Sequence, residues 1–84
     1  MTKEKAMEIA QQYAKKHHPN YDRIWYAGEK SKWHFVWMKN TSLPRYTGLG
    51  VAIKISPSGD VYYIDSGMET LQISRDARRL NSGD

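Results

Sequence analysis

Apolar side chains recur at helical spacing over the first part of the chain. Ala6, Ile9, Ala10, Tyr13, Ala14 and His17 share one face of a helix predicted over residues 2–17. Thr2 stands where a hydroxyl can accept a backbone N–H of the first turn, and Glu4 complements the positive end of the helix dipole. Lys15, Lys16 and His17 suit the opposite end. Pro19 disfavours helical geometry at His18, so "HHPN" ends the element.

The period then switches from helical to alternating. "RIWYA" is rich in strand formers, "GEKSK" reads as a polar turn, and "WHFVWMK" alternates, which together predict a hairpin. "NTSLPRYTGL" carries Pro44 and Gly48 among several hydroxyls and is too long for a tight turn. "GVAIKIS" resumes a strand, with Val51, Ile53 and Ile55 on one side and Ala52, Lys54 and Ser56 on the other. "SPSGD" is a turn, because proline presets one torsion and Gly59 tolerates a positive one, and "VYYI" closes a second hairpin. From Asp65 onward the pattern thins, leaving room for a short helix over residues 74–80, with Leu71, Ile73 and Leu80 as docking points. The order predicts an α+β fold: one N-terminal helix packed on a four-stranded, mainly antiparallel sheet over residues 1–66. Residues 67–84 follow as a polar C-terminal extension, partly docked or disordered.

Alternation sends Trp33, Phe35 and Trp37 to one face of the sheet and His34, Val36 and Met38 to the other. A single helix covers one face. The aromatic set is expected beneath it, against Ile9, Tyr13 and the Val51, Ile53 and Ile55 stripe. The open face is then expected to carry His34, Val36, Met38, Trp25, Ala52 and Lys54, a mixed surface able to bind a partner. The C-terminal segment folding across that face, or a homodimer formed through it, are the competing uses.

Composition narrows the class. With no cysteine among 84 residues there is no disulfide and no thiolate metal site, and stability rests on packing and strand pairing. No apolar run approaches the roughly 20 residues that cross a bilayer, and "MTKEKAMEIA" lacks the apolar segment of a secretory signal. A cytoplasmic protein with no membrane partner is expected. The net charge of +4 admits an acidic protein or nucleic acid as partner without requiring either.

No catalytic or cofactor motif stands out. His17 and His18 lack a ligand-spaced carboxylate, and His34 has no inferable nucleophile beside it. Gly48 and Gly50 in "TGLGV" are not followed by a helix that could cradle phosphate, and are read as relaxing the loop. The chain is therefore expected to use no cofactor and to carry out no reaction. Its candidate partner-binding residues are Leu43, Arg45 and Tyr46 of the long loop, with Trp25, His34 and Lys54 of the open face, since Tyr and Arg are favoured at interfaces. The alternative is a nucleic-acid-associated protein using Lys39, Arg45, Tyr46, Lys54 and the Arg75, Arg78 and Arg79 segment.

The succession "TKEKAMEIAQQYAKK", "WHFVWM", a long loop and "GLGVAIKISPSGDVYYI" resembles the small bacterial toxin-immunity proteins of the immunity protein thirty-five type. Those share a T-x-E-A-x-x-x-A helix start, a GW-x-F-x-Y strand and a G-x-G-P-x-x-V-D-x-x-T-G-x-V hairpin. The layout is also similar to that of PepSY-like domains. The resemblance spans residues 2 to about 64, departing where Ser31 and Lys32 precede Trp33 in place of glycine and where Val51 replaces a proline. It implies a non-enzymatic protein-binding role, with a toxin as the partner. The positive net charge does not suit an inhibitor that mimics nucleic acid.

Overall fold

The computed structural model describes residues 1–40 and 50–81. Helix α1 (Lys3–His17) begins at Thr2, whose hydroxyl accepts the Lys5 N–H at 3.2 Å, and ends where the His18 N–H donates to the Ala14 carbonyl. Strands β1 (Arg23–Lys30), β2 (Trp33–Lys39), β3 (Val51–Ile55) and β4 (Val61–Ile64) follow. They form one antiparallel sheet in the order β1-β2-β3-β4. Helix α2 (Gly67–Leu80) closes the chain. The fold is α+β, as the pattern predicts.

Each connection has a local cause. Ser31 and Lys32 join β1 to β2 with φ of 51° and 69°, the two positive values of a tight loop that matches strand twist. Between β3 and β4 the Ser56 hydroxyl accepts the Asp60 N–H at 3.0 Å, while Gly59 takes φ 97°. Ser66 caps α2 by accepting the Glu69 N–H at 3.3 Å. That helix starts seven positions before the short one read from the sequence, because Ser66 and Glu69 supply a start signal that the weak apolar pattern does not.

The sheet is covered on both faces. Under α1 lie Val36, Met38, Val51, Ile53 and Ile55, contacted by the alanine stripe Ala6, Ala10 and Ala14. Small residues there let the helix approach the sheet closely. Under α2 lie Trp37, Ala52 and Ile64 with Ala27, against Ile73 and Ala77. The expected union of Trp33, Phe35 and Trp37 with the Val51, Ile53 and Ile55 stripe is therefore corrected. Residues directly opposite across a strand pair share a face, and Trp37 pairs with Ala52 while Val36 pairs with Ile53. Helix α2 takes the aromatic face and α1 takes the aliphatic one.

Candidate binding surface

The register sorts charge as well as bulk. Arg23 is opposite Lys39, Trp25 opposite Trp37, and Lys30 opposite Trp33, while Lys54 is opposite both Phe35 and Tyr62. All four basic residues of the strands thus share the α2 face with all three tryptophans and the only phenylalanine. Glu29 is the sole acidic strand residue among the described residues, and a bulge between Tyr26 and Gly28 places it opposite His34 on the other face. Without the extra residue, Glu29 would fall on the basic side.

Helix α2 rests on the row Trp25, Trp37, Ala52 and Ile64, so the rows on either side of it remain accessible. On one side Trp25 stacks on Trp37 with centroids 4.9 Å apart, and the Arg78 guanidinium lies 5.5 Å over the Trp37 ring. Arg23, Trp25, Arg78 and Asn81 line a cavity of about 230 Å³ with no carboxylate in its wall. The Asn81 amide is committed elsewhere, donating to the Ala77 carbonyl at 2.6 Å and the Tyr26 carbonyl at 3.4 Å. A second cavity of about 550 Å³ shares Arg23 and Trp25 and adds Lys15, His18 and Asp22. Lys39 stands directly across from Arg23, and β2 ends there. Gly50 returns the chain at φ 82°, with Met38 and Trp37 so near that a side chain has no room.

On the far side of α2, Lys54 reaches over Trp33 at 5.1 Å, and Trp33 meets Tyr62 with centroids 5.5 Å apart.

The sequence-derived candidates are dispersed by this geometry. Trp25 and Lys54 share the α2 face but occupy rows on and beyond the helix contact. His34, Val36 and Met38 are corrected from an open face to the α1 interface, because β2 alternation puts them on the side that α1 covers. His34 is 1% exposed. Its Nδ1 accepts the Tyr26 hydroxyl at 2.7 Å and its Nε2–H donates to the Met1 carbonyl at 3.3 Å, an arrangement that the Nε2-protonated tautomer satisfies. Burial, then the nearby Glu29 and Glu4 carboxylates, push the Tyr26 phenol above its usual pKa. Leu43, Arg45 and Tyr46 lie outside the described residues. Sequence reasoning missed Arg23 and Tyr62, whose placement on the α2 face depends on strand register and leaves no local signal.

Among the described residues no cluster of histidine and carboxylate side chains could hold a metal ion, and no helix is long and apolar enough to cross a membrane. The class defined is a helix, meander and helix α+β domain with a basic, aromatic sheet face. No family model, curated protein or solved structure matches the chain.

Proposed function

We propose that the protein is a small non-enzymatic binding domain that docks an acidic protein partner where Arg23, Lys39 and Arg78 converge beside the 41–49 segment. The observation that carries this reading is the direct opposition of Arg23 and Lys39, with Arg78 facing the cavity that Arg23 lines. Like charges opposite one another weaken an isolated strand pair, and a carboxylate seated between them relieves the repulsion. Trp25 supplies the apolar wall. Arginine and tryptophan are the residues that most often anchor protein interfaces.

A protein fits this end better than a nucleic acid. Trp37 is 1% exposed, with one partner ring and one guanidinium on it, so it offers no free face to a base. The resemblance to immunity proteins points the same way and would make the partner a toxin. A chain with no cysteine suits the reducing cytoplasm, where we place it.

The test is affinity capture from nuclease-treated lysate at low and high salt. A protein held by the wild type and by Lys54→Glu, but released by Arg23→Glu and Arg78→Glu, supports the reading. Equal capture by all these variants, or loss of every bound species after nuclease treatment, counts against it.

A further inference from the structure

The far side of the α2 face has a different character. Phe35, Lys54 and Tyr62 form one row across β2, β3 and β4, and Lys30 and Trp33 begin the next. Trp33 and Tyr62 belong to neither hydrophobic core, and Tyr62 is 48% exposed. Lys30, Lys32 and Lys54 make no ion pair with any described residue. The Lys54 ammonium sits over Trp33, so cation and ring are already held together.

We infer that this patch is a contact site for single-stranded nucleic acid, with a base stacked on the exposed ring of Tyr62 beside Trp33 and phosphates neutralised by Lys32 and Lys54. Two requirements meet here. An exposed ring on a sheet, here Tyr62, accepts an unpaired base of any sequence, and cations beside it track the backbone. An acidic peptide would use the lysines and take the ring only as an apolar contact, whereas an unpaired base stacks on the full face of Tyr62. Glu29, Glu69 and Asp76 line the groove beside Phe35 together with Lys30, so an anionic strand runs over the β3 and β4 side, away from α2 and from Lys30. The inference stands apart from the protein-docking reading, which uses the other side of α2.

Anisotropy of a labelled oligothymidylate of about 12 nucleotides, titrated over a salt series, tests it. Binding is expected to fall with salt at a log–log slope of about −1.4, as for two neutralised phosphates on a single strand. Tyr62→Ala should weaken binding about tenfold or more, while Tyr62→Phe, which keeps the ring, should bind as the wild type does. Lys54→Gln should reduce the slope by about 0.7. Circular dichroism melts of each variant separate lost binding from lost folding. Absence of binding at low salt overturns the inference, as does a correctly folded Tyr62→Ala that binds normally. Polyglutamate competing as well as the oligonucleotide would overturn it in favour of an acidic peptide. Loss on Arg23→Glu with retention in Tyr62→Ala would move the site to the other end.

Discussion

The Tyr26 hydroxyl is bonded to Nδ1 of His34 at 2.7 Å beneath α1, joining two strands inside an otherwise apolar interface. Removing the hydroxyl leaves a buried ring nitrogen without its donor. Tyr26→Phe is expected to cost about 1–3 kcal/mol, read as a lower urea midpoint with an unchanged m-value.

The same phenol sets an alkaline limit. Its pKa in the folded state lies above the ordinary value of 10.0, chiefly through burial. The unfolded chain therefore releases this proton first, so the tyrosine's contribution is intact below that value and is lost as pH rises through the folded-state pKa. Unfolding free energy measured from neutral to strongly alkaline pH should fall more steeply for the wild type than for Tyr26→Phe, which has no phenol to titrate.

Gly50 and Gly67 should respond oppositely to alanine. A Cβ at Gly50 would come within 2.5 Å of the Met38 carbonyl oxygen and 3.0 Å of Trp37 Nε1, at a φ of 82°. Backbone cannot yield there, and Gly50→Ala is expected to cost about 1–3 kcal/mol. At Gly67, the first residue of α2, nothing stands within 4 Å, so Gly67→Ala should leave stability unchanged or raise it by up to about 1 kcal/mol. Thermal melts of the two variants check both signs.

The β1–β2 turn offers a gain. Ser31 and Lys32 both adopt positive φ, where Asn-Gly is the favoured pair and β-carbons are strained. The double substitution Ser31→Asn with Lys32→Gly is expected to raise the melting temperature by a few degrees, equivalent to roughly 1 kcal/mol in a domain of this size. An unchanged or lower melting temperature would show that the native turn carries no such strain.

The helix Lys3–His17 and both hairpins were legible because their signals are local: apolar spacing, a capping hydroxyl, a proline, a turn glycine. Which faces meet was not legible. Alternation assigns Val36 and Trp37 to opposite sides of β2, but only the register with β3 decides that Val36 joins Ile53 and Trp37 joins Ala52. Helix α2 was underestimated for a related reason, since Ile73 and Ala77 present a narrow apolar stripe that suffices only against a surface already rich in aromatic area. The site follows from the same register: alternation alone groups buried His34 with surface residues, and only the β1–β2 pairing sets Arg23 opposite Lys39.

That opposition separates stability from binding. Arg23→Glu replaces a like-charge pair across β1 and β2 with an attractive one, and the exposed position involves no loss of core packing. The isolated domain is expected to gain about 0.2–1 kcal/mol, with the gain shrinking as salt screens it. Binding of the acidic partner should fall at the same time, because the substitution turns one of its cations into a repelling carboxylate. A residue retained for local folding would show the reverse, losing stability on substitution while leaving capture intact. Measuring urea midpoint and partner capture on the same preparation of Arg23→Glu, at low and high salt, therefore distinguishes a surface shaped by recognition from one whose charge is incidental.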